Sequence, residues 1–327
     1  MKNNSSHQMF PDANHDEQSA QSFIKSLRIF SMDNFHKGNR ELLNKKLLDK
    51  KEKDYIPSRR EMRDTLSNEP HHHWWSSMMR TTQEMLYDTV GPSIERQLDE
   101  LIEKSESFKN KLGSLKLNKN IATPPYLSAV DMHCKPGSYQ QEIRKNDIFS
   151  GAEFDRTYRL YSMGALGPNL DELGRILIRW LKKNFETFNP NSILDMGCTV
   201  GHSTLPYCEF KNANVYAIDV AAPCLRYGHA RAVSMNHKVH FSQQNAESTN
   251  FEDAKFDLIV SHAMLHETSH KAIRNIFKEC NRLLKKGGLM IHVDGIHQNS
   301  PHEKYYSDWM SIYNNEPYLG TAQDEDF

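Results

Sequence analysis

Two carboxylates and two glycines, closely spaced, carry the first chemistry legible in this chain. The stretch Ser192-Ile-Leu-Asp-Met-Gly-Cys-Thr-Val-Gly201 puts Asp195 at the end of an apolar run and Gly197 and Gly201 in the turn after it. Glycine there lets a ligand approach the backbone and reaches turn angles that cost other residues more. About twenty residues on, Asn214-Val-Tyr-Ala-Ile-Asp219 ends on a second carboxylate, where a nucleotide-cradling βαβ layout places the group that grips a ribose. A Gly-x-x-x-Gly turn by itself is common, so the order of the surrounding elements decides its meaning.

That order is regular. Ile193 and Leu194 suit a buried parallel strand, and a helical stretch is expected after Gly201. Asn214–Asp219, Val239–Asn245, Phe256–Ser261 and Leu289–Asp294 read as four further strands, the last entered through the turn Lys285-Lys-Gly-Gly288. Helical patterns separate several of them, which implies a parallel sheet with right-handed crossovers. The fold expected is α/β, a Rossmann-like, doubly wound, mostly parallel sheet.

The region from about 150 to 295 resembles the class I S-adenosylmethionine-dependent methyltransferases, nearest in style to the small-molecule branch that includes ubiquinone and menaquinone biosynthesis enzymes. Ile193–Gly201 resembles that family's first motif and Ala217-Ile-Asp219 its ribose-binding strand end. Asn245-Ala-Glu247 is similar to its adenine-edge loop, Phe256–His262 to its fourth strand, and Leu283–Leu289 to the turn into its fifth. The resemblance implies S-adenosyl-L-methionine as cofactor. It implies cofactor contacts at Asp195, Gly197, Cys198, Gly201, Asp219, Val220, Asn245, Ala246 and Ser261, and at Tyr161 from the segment before the first strand. Asp195 would fix the turn and the amino end of the cofactor. Tyr158 and Met163 are further candidates for lining the methionine end. One departure is Thr199, which stands where the family usually has a third glycine. It is expected to be tolerated there on ordinary backbone angles. Six or seven strands are usual for the family, and the sixth and seventh are not legible.

Methyl transfer from a sulfonium is an in-line displacement, so positioning is most of the catalysis. A hydroxyl or acidic-carbon acceptor also loses a proton, and ligands bind at the carboxyl ends of strands. His262, His266, Glu267 and His270 follow the fourth strand, and Asp294 and His297 the fifth. His262 and His266 are the candidate catalytic bases, since imidazole titrates near neutrality. The Asn/Asp-Pro-Pro-Tyr/Phe signature of enzymes acting on base amines or amide side chains is missing after the fourth strand. The implied acceptor is therefore a hydroxyl, carbon or nitrogen of a partly apolar small molecule, not a nucleic acid. A catalytically silent, cofactor-binding relative is the alternative.

His266-Glu-Thr-Ser-His270 also fits H-E-x-x-H, which on a helix would hold zinc. Thr268 and Ser269 look like the N-cap of the following helix, which puts the first histidine outside it. No zinc hydrolase and no metal site is expected. Three adjacent histidines in His71-His-His-Trp-Trp75 point in different directions and chelate poorly. The two tryptophans suit a loop over an apolar ligand or a sealed interface.

The chain of 327 residues is long enough for two units. The reading divides it into a disordered tail over 1–20, poor in apolar residues, a helical lid over 21–150, and the cofactor-binding core over 151–327. Ser77–Val90 and Pro92–Leu112 read as two helices joined at Gly91-Pro92, and an earlier helical pattern breaks near Asn34–Gly38. Tyr305–Met310 and Asn314–Tyr318 are expected to complete the sheet or wall the acceptor pocket. A net charge of −1 argues against a dedicated polyanion binder. Five cysteines without a paired metal spacing suggest reduced thiols. No run approaches the ~20 apolar residues of a membrane span or forms a signal peptide, so a cytoplasmic location is expected, with a homodimer possible in principle.

Overall fold

The structure, a computed structural model, describes residues 7–52, 55–295 and 300–322. Six strands form one sheet: β1 Ser114–Lys116, β2 Ser192–Met196, β3 Asn214–Asp219, β4 Val239–Gln243, β5 Phe256–His262 and β6 Leu284–Val293. All pairings are parallel and the order is β1-β4-β3-β2-β5-β6. This is the expected α/β Rossmann-like architecture. The reversal of strand direction of travel falls at β2, which has β3 on one side and β5 on the other, so the carboxyl ends of β2, β3 and β5 open onto a single crevice.

Side-chain alternation builds the two layers. Ile193 points to one face with Val215, Leu258 and Val260, where the helix Glu172–Asn184 seats Leu177, Ile178 and Leu181. Leu194 and Met196 point to the other face with Ile218 and Ile259, against Ile273, Ile276 and Leu283 of the helix His270–Leu283. Ile176 and Trp180 of the first of these helices are exposed.

Several elements differ from the sequence reading. The turn after β2 leads to a five-residue 3-10 helix, Leu205–Glu209, in place of a full helix, with Pro206 in its first turn. Strand β6 begins earlier than Leu289. Leu284 pairs with Phe256 and Leu289 with Leu258, so Lys285–Gly288 bulge out of an otherwise continuous strand. The sixth strand comes from Ser114–Lys116, ahead of the expected core boundary at 151, and the segment after 300 does not enter the sheet.

The N-terminal part is helical: His15–Ser31, Lys37–Lys46, Arg59–Leu66, Pro70–Glu95 and Leu98–Phe108. No break occurs at Asn34–Gly38, because a π-helical turn, Met32–His36, carries the first helix into the second. Pro92 lies inside a single helix that begins at Pro70 rather than between two. The stretch expected to be disordered through residue 20 is ordered from His7. Asn14 caps the first helix in a reciprocal box with Glu17, Met9 is fully buried, and His7 Nε2 donates to Asp155 Oδ2 at 2.9 Å. All five cysteines are free. No helix among the described residues is long and apolar enough to cross a membrane.

The histidine–tryptophan stretch is the first turns of the helix Pro70–Glu95, not a loop. Trp75 is fully buried against Trp309 of the helix Pro301–Tyr313, with ring centroids 4.4 Å apart. The same two helices are joined by Trp309 Nε1 donating to Ser76 Oγ at 2.9 Å, and His72 meets the Tyr305 hydroxyl at 2.8 Å. Asp308 accepts Arg63 Nη2 at 2.6 Å and Nε at 3.0 Å, a bidentate pair. Trp75 thus seals an interface, whereas Trp74 is exposed on the same helix.

Trp75→Ala should destabilise the protein by about 3–5 kcal/mol, as for other fully buried aromatic truncations, read as a lower midpoint in urea unfolding. Acid should act through buried histidines. Burial, the leading cause in each, lowers His36, His72, His202 and His292 to about 4 from an ordinary value of 6.5. The unfolded chain then binds more protons than the native one between those values, so stability is full above pH 6.5 and falls as pH drops toward 4. Urea midpoints measured from pH 7 to pH 4 should decline steadily, and a flat profile would contradict the neutral, buried state of these rings.

Candidate functional site

The bend after β2 and the end of β3 meet through hydrogen bonds. Asp219 Oδ2 accepts the Thr199 amide at 2.9 Å and Oδ1 accepts the Ala221 amide at 2.9 Å. The amides of Gly197 and Cys198 both donate to the Ile218 carbonyl, at 2.9 and 3.0 Å. Burial raises the Asp219 carboxyl above its usual value, with the two amides pulling the other way. Gly197 (φ +70°) and Gly201 (φ +77°) take left-handed angles. A Cβ on Gly197 would come within 2.6 Å of Met264 Cγ, so that position needs glycine for space as well as angle.

Thr199 does not have ordinary angles. Its φ is +49°, in the left-handed region, which explains why a glycine suits the position and corrects the expectation made from sequence. The threonine keeps its amide aimed at Asp219 regardless of its side chain.

These groups line a cavity of about 460 Å³ at the carboxyl ends of the strands. Asp195, Gly197, Cys198, Asp219, Val220, Asn245 and Ala246 line it, as do Tyr161, His262 and His266. Gly201 and Ser261 do not. Gly201 shapes the bend from beneath, and Ser261 is fully buried with its hydroxyl 2.7 Å from His292 Nδ1 on β6, which turns it away from the cavity. Tyr158 lines the wall beside Tyr161, stacked on it at 6.5 Å, whereas Met163 stays outside. His297 lies outside the described residues.

Asp195 is 2% exposed. Its Oδ2 accepts the Thr204 hydroxyl, while Oδ1 has no partner and lies 3.7 Å from His262 Nδ1, itself unpartnered. The other ring nitrogen of His262 meets the Tyr207 hydroxyl at 3.1 Å. A buried carboxylate oxygen without a partner, on a residue that lines a cavity, fits a ligand that donates hydrogen bonds, such as an ammonium. Asn245 closes the adjacent loop by accepting the Glu247 amide at 2.9 Å, and Tyr126 fixes that loop by donating to Glu247 Oε1 at 3.0 Å.

His266 differs from what its sequence suggests. Burial works against protonation, but contacts with Asp294 and Glu267 outweigh it and push the ring up to about 10. Its Nδ1 is engaged by Asp294 Oδ1. The protonated form that these carboxylates favour donates and does not accept a proton, which counts against His266 as the base. The H-E-x-x-H geometry fails as expected. Ser269 is the N-cap, accepting the Ala272 amide at 3.2 Å, so His266 precedes the helix and His270 is exposed at its first position.

Two further segments wall the cavity, the first not anticipated from sequence and the second among those expected to do so. Tyr126, His133 and Tyr139 precede the helix Phe149–Tyr161, and Tyr306, Met310 and Glu316 come from the C-terminal helix and its sequel. Only the aromatic content of 305–318 signalled any of them. Among the described residues none before Pro124 lines the cavity, so the N-terminal helices form an outer layer behind the wall rather than the wall itself. Arg28 marks that layer, its guanidinium 4.9 Å from the centre of the Tyr161 ring.

Residues 193–288 match the family described as a methyltransferase domain. Phosphoethanolamine N-methyltransferase of Plasmodium falciparum is 28% identical over 107 residues, covering 32% of this chain and 40% of that protein. An uncharacterised methyltransferase of Synechocystis is 30% identical over 102 residues, covering 31% and 46%. A solved S-adenosylmethionine-dependent methyltransferase from Clostridium acetobutylicum is similar at 23% identity and a TM-score of 0.34, covering 38% and 49%. The chain thus spans about half or less of the length of these relatives. Residues 193–288, with the glycine bend, the Asp219 strand end and the turn into β6, are thus the part of the chain that matches the methyltransferase domain family.

Proposed function

We propose that the protein transfers a methyl group from S-adenosyl-L-methionine to a small molecule held in the cavity. The observation that carries this reading is the meeting of the Asp219 carboxylate with the Thr199 amide, beside the open Oδ1 of Asp195, on one wall of a cavity large enough for a metabolite. Asp219 would accept the ribose hydroxyls, Asn245 and Ala246 would border the adenine, and Val220 would pack beside it. Asp195 would take the cofactor's ammonium through Oδ1. Cys198 and Gly197 would present bare backbone, and Tyr161 would cover the methionine end. Gly201 acts on the ligand only through the bend, and Ser261 is not assigned a contact.

The cofactor supplies an activated methyl electrophile when bound. The chain's task is to hold the acceptor atom about 3 Å from the methyl carbon and in line with the sulfur. The aromatic wall of Phe154, Tyr158, Tyr161 and Tyr306 suits an acceptor with an apolar body and excludes water around it. His262 is the candidate base, since its Nδ1 is buried and unpartnered at the cavity surface. The small, walled cavity favours a metabolite over nucleic acid as acceptor. A cytoplasmic setting suits the free thiols.

Titration calorimetry with S-adenosyl-L-methionine tests the cofactor half. Asp219→Asn should lose on the order of 10–100-fold in affinity, the loss of one or two charge-assisted hydrogen bonds. An affinity unchanged by this substitution would remove the ribose assignment. Methyl-labelled cofactor incubated with fractionated metabolite extract separates an enzyme from a silent, cofactor-binding relative. Once an acceptor is in hand, His262→Ala should lower kcat by about 10²–10⁴-fold with little change in cofactor affinity. A wild-type rate would retire His262 as base.

A further inference from the structure

The two ends of the crevice differ in chemistry. The carboxyl ends of β2, β3 and β4 carry the groups assigned to the cofactor, while those of β5 and β6 carry a compact charged cluster that the proposed function leaves unused. Four separate chain segments build it. His133 comes from the connector before the helix Phe149–Tyr161, His266 and Glu267 follow β5, Asp294 follows β6, and Glu316 follows the helix Pro301–Tyr313.

His133 Nε2 lies 2.6 Å from Glu267 Oε1 and its Nδ1 lies 2.8 Å from Glu316 Oε1. One donor atom from each of these three residues falls within 4.8 Å of the other two. His266 Nε2 is 3.5 Å from the same Glu267 oxygen. Glu267 Oε2 is buried and has no partner, so the cluster does not satisfy itself. Outer contacts aim the donors. Asp294 engages His266 Nδ1 and leaves Nε2 facing the cluster, the carboxylate–histidine arrangement that orients metal ligands. Asn314 donates to Glu316 at 2.6 Å, and Gln83 donates to the His133 carbonyl at 2.9 Å.

We infer that this cluster is a divalent transition-metal site, with His133, His266, Glu267 and Glu316 as ligands and Asp294 as the residue that positions His266. Two imidazoles and two carboxylates suit zinc, manganese or ferrous iron, whereas magnesium and calcium favour all-oxygen shells. Bonds of about 2.0–2.2 Å in a tetrahedral shell place donors roughly 3.4 Å apart, so His133 would turn one nitrogen to the ion and part from one of its two carboxylates, and both imidazoles would release a proton on binding it. The ion would lie in the cavity wall at the end away from Asp219. An acceptor bearing a hydroxyl, thiol or carboxylate would add a fifth donor to these four and present its reacting atom to the cofactor end. That last step rests on the methyl-transfer reading, but the metal site itself does not.

The test uses the full chain, stripped with chelator and titrated with Co2+ while its visible absorption is followed, with Zn2+ as competitor. One saturating equivalent is expected, displaced by Zn2+. Glu316→Gln and Glu267→Gln should each weaken Co2+ binding at least tenfold, and Asp294→Asn by about 10–100-fold, with circular dichroism unchanged. Absence of saturable Co2+ binding in the wild type, or equal binding in both glutamine variants, would overturn the site and leave an ion-pair network in its place. S-adenosyl-L-methionine titrated into the same samples keeps the two readings apart. Metal binding without cofactor binding sustains the site and sinks the methyltransferase reading, and the converse sinks only the site.

Discussion

The crevice depends on one carboxylate. Asp219 takes an amide from the bend after β2 with one oxygen and an amide from the start of the next helix with the other. Those contacts fix the separation between two strand ends that parallel pairing alone leaves free beyond Met196 and Asp219. They also hold Thr199 in a left-handed conformation that a residue with a Cβ adopts reluctantly. A carboxylate in this position is costly to bury and is raised accordingly. The amides offset part of that cost, and its remaining lone pairs stay available to whatever enters.

A second constraint sits behind the wall. Asp155, on the helix Phe149–Tyr161, is 1% exposed and accepts from Tyr227 at 2.7 Å while meeting His7 at 2.9 Å and His202 at 2.8 Å. Burial alone would favour its neutral form, but the two histidines hold it well below the carboxylate range. One side chain therefore ties four segments together: the N-terminal arm, the helix that carries Tyr158 and Tyr161, the bend at 201–202, and the helix Ala222–Ser234 through Tyr227. The aromatic wall is positioned by a buried polar hub instead of by apolar packing alone.

The sheet was largely legible because its strands are short apolar runs with β-branched residues, and parallel strands buried on both faces read that way. The edge strand Ser114-Leu-Lys116 escaped because three residues carry no periodicity. The helix through Pro92 escaped because proline normally marks a boundary, yet here it sits one turn from the end, where few hydrogen bonds remain to be lost. In the site, the residues on the strand ends were legible from motif order. His133 and Glu316 were not, since each acquires meaning only from Glu267, 134 residues from the first. His266 was found by position but its pairing was not, because Asp294, the carboxylate that engages its Nδ1, lies 28 positions away and reaches it only in the fold.

The pairing of Trp75 with Trp309 joins positions separated by more than two hundred residues, as the Ser76 contact at a separation of 233 shows. At translation rates of about 5–20 residues per second, the ribosome takes on the order of ten to fifty seconds to deliver the partner. Throughout that interval Trp75 and Met79 have only the earlier residues of their cluster, Leu43, Leu47, Met62 and Leu66, to pack against. The side of this cluster supplied by Tyr305, Trp309 and Met310 is therefore the last to close.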